Sequence, residues 1–228
     1  MQLTVAVIAR ECLPGRVKTR LCPPLTADQA ADLAQISLSQ TLETVRRFPV
    51  DRRLLVMDGT PCEQDAAGFV VISQVDGGLD ERLAAICDQS MGPLLILGMD
   101  TPQLNRNHLG RLLHDWARPA PVHDAWLGMA TDGGFWALAM REPRGDLIRG
   151  VPMSTGTTGS VQLSRLTEAG LNVGILPQMS DVDRFTDAVS VAAQAPGTRF
   201  AASVHALLCQ LRPGGQSGSG GPDWCAGE

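Results

Sequence analysis

A chain of 228 residues, 44% hydrophobic and 19% charged, with a net charge of −5, has the composition of an ordinary soluble globular protein, which argues against disorder and against a nucleic-acid-coating role. Its length suits one large α/β domain. No run approaches the ~20 apolar residues of a membrane-spanning helix, and the opening MQLTVAVIARE has neither a basic n-region nor a small-residue cleavage site, so a cytoplasmic protein without membrane contact is expected.

Leu3 to Ala9 is a short β-branched apolar run that reads as the first strand. A Pro/Gly/Arg-rich loop follows, and Thr26 with Gln29 forms a capping box that opens a long amphipathic helix carrying Ala30, Leu33, Ala34, Leu38, Leu42 and Val45 on one side. Further strands are expected near Arg53 to Met57, Phe69 to Ile72 and Leu94 to Gly98, with helices near Leu79 to Gln89 and Asn105 to Trp116. This alternation argues for a mostly parallel sheet flanked by helices, whose ligands bind at the carboxyl ends of the strands. In the second half, Ala125 to Ala130 and Phe135 to Met140 read as strands around a DGG turn, followed by a helix near Ser160 to Ala169 and a strand near Asn172 to Leu176, so the sheet should be mixed. The expected division is one domain over 1–212 and a flexible Gly/Ser-rich tail over 213–228.

The loop RECLPGRVKTR, Arg10 to Arg20, sets Arg10, Arg16, Lys18 and Arg20 against Glu11, with Pro14 and Gly15 letting the backbone wrap closely. At a strand's carboxyl end and just before a helix, it reads as a phosphate cradle; the alternative is a solvated basic loop. Of the 19 basic side chains, Lys18 is the single lysine. Chance places one lysine in these 11 positions of 228 about one time in twenty. A site that needs a compact point charge accounts for it.

LLILGMDTPQL ends an apolar strand in Asp100, where a carboxylate can hold Mg²⁺ or Mn²⁺ or cap the following turn. SDVDRFTDA offers Asp181, Asp183 and Asp187, one of which can bring a second carboxylate to that metal, or serve as a helix N-cap. Two glycine pairs permit close backbone approach or make ordinary turns: Gly77 and Gly78 in QVDGGLDERL, and Gly133 and Gly134, after Asp132, in ATDGGFWAL. Ser154 and Thr155 add hydroxyls. Cys12, Cys22, Cys62, Cys87, Cys209 and Cys225 form no CxxC pair and read as free thiols, and His108, His114, His123 and His205 show no ligand spacing.

In order, PGRVKTRL, GGLDERL, GMDTPQL, TDGGFWAL, GVPMST and DVDRFTD resemble the motifs of a bacterial family of GT-A-like transferases assigned as glycosyltransferases of arsenosugar biosynthesis, over roughly Leu3 to Ala188. More distantly, three of these segments are similar to phospholactate and molybdopterin guanylyltransferases and to CMP-sugar synthetases. The resemblance implies a GT-A-like (nucleotide-diphospho-sugar transferase) domain with metal on Asp100 and Asp183. It implies Lys18 and Arg20 at the triphosphate, and the segment with Gly77, Gly78, Asp80 and Arg82 near base and ribose. Asp132, Gly133, Gly134, Ser154 and Thr155 fall on the acceptor side, where Phe135 and Met153 replace the tyrosine and tryptophan frequent in the family.

The expected activity is metal-dependent transfer of a nucleotidyl group from an NTP to a small phosphorylated or hydroxyl acceptor. A glycosyltransferase using a nucleotide sugar is the alternative, and a non-catalytic nucleotide-binding protein a third. No nucleic acid or membrane partner is expected; a homodimer stays open.

Overall fold

The computed structural model describes residues 2–211. In the first strand, β1 (Thr4–Arg10), side chains alternate between two covered faces: Val5, Val7 and Ala9 pack on one side, Ala6 and Ile8 on the other. The pattern recurs in β2 (Arg52–Asp58), where Leu55 and Met57 oppose Leu54 and Val56, and in β4 (Leu94–Gly98), where Leu95 and Leu97 oppose Leu94 and Ile96. A strand covered on both faces reads as an unbroken apolar run, because neither face meets water.

With β3 (Val70–Ser73), β5 (Ala125–Ala130), β6 (Phe135–Met140) and β7 (Val173–Met179), these strands form one seven-stranded sheet in the order β3-β2-β1-β4-β6-β5-β7. β1 pairs in parallel with β2 and β4, β2 with β3, and β5 with β7, while β6 runs antiparallel to both β4 and β5. Six strands therefore end on one edge of the sheet, and the reversed β6 begins there.

Helix α1 (Ala27–Arg46) lays Leu38, Leu42 and Val45 on one face of the sheet, and α4 (Gly110–Trp116) adds Leu112 and Trp116. The other face is covered by α3 (Leu79–Asp88) through Leu83, Ala84 and Ile86, and by Leu166 of α5 (Thr158–Glu168). α2 (Glu63–Ala66) is a single turn before β3. A third cluster joins α1 to α6 (Phe185–Gln194) and α7 (Arg199–Leu211) through Leu33, Val191, Phe200 and Val204.

The expected single α/β domain with a mixed, mostly parallel sheet is present, and three details differ. The segment Asn105 to Trp116 is not one helix: Asn105 caps a 3-10 turn over Arg106–Leu109, and α4 starts only at Gly110. β7 runs past Leu176 to Met179, and two full helices, α6 and α7, follow where only a helix cap among the aspartates of SDVDRFTDA was expected. The expected tail from Pro213 lies outside the described residues, as does Cys225; the other five cysteines are free. No helix among the described residues is long and apolar enough to cross a membrane.

The capping box of α1 is formed as the sequence suggests: Gln29 N–H donates to Thr26 Oγ1, and Thr26 N–H donates to Gln29 Oε1. We expect Thr26→Ala to cost about 1 kcal/mol, lowering the thermal midpoint by roughly 2–4 °C at this length. Differential scanning calorimetry checks it; an unchanged midpoint would show that packing on α7 alone fixes the start of α1.

Candidate functional site

The carboxyl edge of the sheet opens into a cleft of about 710 Å³. Its position follows from topology, since the loops after β1, β4, β5 and β7 all emerge there. After β1 the chain turns through Leu13–Val17, and Lys18 takes a left-handed conformation (φ 48°) that precedes a 3-10 turn over Thr19–Leu21. Ser154 (φ 57°) is the other described non-glycine residue with positive φ, and it too lines the cleft. Strained backbone held at two points of one cleft is a common mark of a binding site.

Lys18 does not sit in a solvated loop. Its side chain is 12% exposed, and Nζ lies 2.7 Å from Oδ2 of Asp100, just beyond the end of β4. The other carboxylate oxygen, Asp100 Oδ1, is buried without a hydrogen-bond partner. The capping alternative for Asp100 is thereby excluded, because neither oxygen accepts from the following turn; Asn105 does the capping.

The segment after β7 is tied against Asp100. Val182 N–H donates to the Asp100 carbonyl (3.1 Å), Gln103 Nε2 donates to the Ser180 carbonyl, and Thr131 N–H donates to the Met179 carbonyl (3.0 Å). This brings Asp181 and Asp183 to the cleft, while Asp187 turns back to accept from Arg184 N–H at the start of α6. Asp187 is therefore a cap. Asp183 accepts from Arg20 at 2.8 Å, and this carboxylate holds the Arg20 guanidinium above its usual pKa. Burial, then the nearby charges of Asp132 and Asp100, push the Asp181 carboxyl above the ordinary carboxylate range.

Of the residues singled out from sequence, Arg10, Arg16, Lys18, Arg20, Gly77, Arg82, Asp100, Asp132, Gly134, Ser154, Thr155 and Asp183 line the cleft. Arg82 is held rigidly, donating to Asp58 (2.9 Å), Gln74 (2.8 Å) and the Gly77 carbonyl (3.1 Å). Gly15, Gly78, Asp80 and Gly133 are not part of the lining. Asp80 instead accepts from Gly150 N–H at 2.9 Å, which lowers its pKa and ties the start of α3 to the segment before α5. Gly133 (φ 91°) works from behind: a Cβ there would collide with the Gly156 carbonyl, so glycine lets the DGG turn lie against the loop carrying Ser154 and Thr155. His108 and His123 serve local structure, accepting from Asn105 N–H and contacting Asp115.

Among the polar cleft residues, Gln74, Thr101 and Thr158 were not singled out from sequence, and Asp181 was weighed beside Asp183 and Asp187 without being carried into the metal pair. Gln74 lies between strands, donating to the carbonyls of Ala9 and Val56, and a polar residue just past an apolar strand was its only signal. Thr101 is 1% exposed, and its Oγ1 has no partner.

This sheet order and the cleft at its carboxyl edge define a GT-A-like, nucleotide-diphospho-sugar transferase fold. The chain belongs to the bacterial family described as "Uncharacterized protein conserved in bacteria (DUF2064)", whose profile matches residues 41–155. No curated protein matches the chain in sequence. Among solved structures, it is similar to a protein from Desulfovibrio desulfuricans G20 provisionally named a nucleotide-diphospho-sugar transferase, with 22% identity, 92% of this chain and 95% of that one covered, and a TM-score of 0.77. It is also similar to CMP:2-keto-3-deoxy-manno-octonic acid synthetase complexed with CTP, with 14% identity, 92% and 99% covered, and a TM-score of 0.55. A third is glucosyl-3-phosphoglycerate synthase from Mycobacterium tuberculosis, in complex with Mn²⁺, UDP and glucosyl-3-phosphoglycerate, with 11% identity, 79% and 70% covered, and a TM-score of 0.50. At these identities the likeness establishes the fold.

Proposed function

We propose that the protein is a metal-dependent nucleotidyltransferase that joins an NMP from an NTP to a small acceptor and releases pyrophosphate. The observation that carries this reading is the set of five cationic side chains, Arg10, Arg16, Lys18, Arg20 and Arg82, lining one cleft around Asp100. A triphosphate uses more such contacts than a nucleotide sugar does. Two of the similar structures were determined with CTP or UDP bound, which supports a nucleotide as the ligand.

The residues fit Mg²⁺ or Mn²⁺. No group of three or more His, Cys, Asp or Glu among the described residues can hold a metal by itself. A hard cation of this kind takes only one or two carboxylates from the protein and the rest of its oxygens from water and phosphate. The buried, unpartnered Asp100 Oδ1 is a donor waiting for such a cation. Asp100 and Asp183 would hold it, and it would supply positive charge that neutralises the phosphates. The glucosyl-3-phosphoglycerate synthase structure contains Mn²⁺, in keeping with this.

The protein's own groups supply position and field. Lys18 and Arg20 face the triphosphate and stabilise charge as the acceptor oxygen bonds to the α-phosphorus and the bond to pyrophosphate breaks. The proton of a hydroxyl acceptor leaves to water through the open mouth of the cleft. Arg82 with Gly77 borders the base and ribose, and Asp132, Gly134, Ser154 and Thr155 border the acceptor.

Glycosyl transfer from a nucleotide sugar is the second reading, favoured by the likeness to the Desulfovibrio protein. A thermal-shift panel of NTPs and nucleotide sugars, with and without Mg²⁺ or Mn²⁺, separates the two. A ligand at a hundred times its dissociation constant adds ~2.7 kcal/mol, a rise of roughly 5–10 °C at this size. We expect an NTP with metal to give that rise and pyrophosphate to appear on turnover. A shift confined to nucleotide sugars favours glycosyl transfer, and no shift with any of them leaves the nucleotide reading without support.

A further inference from the structure

The cleft is divided by charge along the order of the strands. Every cation in its lining comes from the β1 loop or from α3, on the β3-β2-β1 side of β4. From Ala130 onward the lining contains no cationic side chain; it contributes Asp132, Asp181 and Asp183 and the hydroxyls of Ser154, Thr155 and Thr158. The two halves meet at the Lys18–Asp100 and Arg20–Asp183 pairs. Asp132 and Asp181 are left without an ion-pair partner among the described residues, and Asp181 feels the like charge of Asp132, offset in part by Lys18. A separate observation points to a ligand here: Thr101, on the segment laced to Ser180–Asp183, lines the cleft at 1% exposure with Oγ1 unpartnered. A buried hydroxyl without a partner costs free energy unless a ligand or water completes it.

We propose that this half selects an unphosphorylated acceptor, a neutral or amino-bearing polyol, and discriminates against phosphorylated ones. The inference rests on the nucleotidyl-transfer reading and narrows its acceptor. Two free carboxylates accept hydrogen bonds from hydroxyl or ammonium groups, which are donors. The same two carboxylates repel a phosphate, because the cations of the lining stem from the nucleotide side and the two that reach across, Lys18 and Arg20, are already paired with Asp100 and Asp183. Asp132 is further oriented by accepting from Gly134 N–H at 2.8 Å, which aims the DGG turn and leaves its second oxygen free of protein partners.

The test uses the full chain with whichever NTP and metal raise its midpoint, and matched probes: glycerol against glycerol 3-phosphate, and glucosamine against glucosamine 6-phosphate. Binding to the nucleotide-saturated protein is read by calorimetry, and pyrophosphate release by a coupled assay. The unphosphorylated member of each pair is expected to bind about tenfold or more tightly. Asp132→Asn and Asp181→Asn are expected to narrow that preference about tenfold, with nucleotide affinity unchanged. Preference for the phosphorylated member, or loss of metal-dependent nucleotide binding in Asp181→Asn, overturns the inference while leaving nucleotidyl transfer standing. Failure of every NTP to shift the wild type removes both.

Discussion

Asp100→Asn is expected to abolish the metal-dependent part of nucleotide binding while leaving the fold intact. Asn keeps the side chain's shape but deletes the anionic donor that the buried, unpartnered Oδ1 offers. A cation that draws only one or two carboxylates from the protein loses a large part of its protein ligation with this one change. The parent's midpoint should rise by roughly 5–10 °C with saturating nucleotide and metal, and the increment that depends on metal should vanish in the variant. The metal-free arm carries a second sign: Lys18 loses the counter-ion 2.7 Å away, so its charge is freed for phosphate and metal-free triphosphate binding should hold or tighten. A simple loss of folding would weaken both arms together. If Asp100→Asn keeps the metal increment, Asp100 is not a ligand. Asp183→Asn, measured the same way, tells whether the second carboxylate comes from Asp183.

The strands were legible because both faces of the sheet are covered. Leu94 to Gly98 is an uninterrupted apolar run with both of its faces buried, and its observed bounds are those expected. The two C-terminal helices carry an apolar stripe as clear as that of α1: Phe185, Ala188, Val191 and Ala192 recur at helical spacing in α6, and Phe200, Val204, Leu207, Leu208 and Leu211 in α7. They too were legible, and the aspartates before α6 drew attention away from them. The broken helix at Asn105 has a local cause: the Asn105 side chain accepts from Asn107 N–H and His108 Nδ1 accepts from Asn105 N–H, which favours a tight 3-10 turn before Gly110.

In the site, a singular residue could be read and a choice among similar ones could not. Lys18 stands out by composition alone, and its side chain is turned inward and ion-paired at the cleft. Asp181 and Asp183 are two positions apart, so in extended chain they share a side and spacing says nothing about their partners. What separates them is Arg20, 163 positions away, which pairs with Asp183 and leaves Asp181 to Asp132. Asp80 shows the same limit. The family resemblance implied a place near base and ribose for it, while its carboxylate is engaged by a backbone N–H 70 positions on. Long-range partners of this kind leave no local trace.

Lys18→Ala is expected to weaken triphosphate binding roughly ten- to hundredfold, since a charge-assisted hydrogen bond contributes ~1.5–3 kcal/mol and each 1.4 kcal/mol is about tenfold. Backbone strain does not confound the comparison, because alanine and lysine carry the same Cβ in the left-handed conformation at φ 48°. The variant should also show an effect of opposite sign. In the nucleotide-free protein, the Lys18 ammonium on Oδ2 offsets the charge of Asp100, so a divalent cation at the open Oδ1 meets a weakened carboxylate; without the lysine the full charge is available, and Mn²⁺ affinity should rise. Lys18→Arg should restore triphosphate binding only in part, because a planar guanidinium does not match a compact ammonium in a setting that leaves the side chain 12% exposed. The measurement is nucleotide affinity and single-turnover rate for the three proteins, with Mn²⁺ binding to the nucleotide-free forms followed by electron paramagnetic resonance. Weaker nucleotide binding together with tighter Mn²⁺ binding in Lys18→Ala identifies Lys18 as the counter-ion that exchanges from Asp100 to phosphate. Unchanged nucleotide affinity and rate would return the loop to an ordinary basic surface and leave the Lys18–Asp100 pair a structural contact.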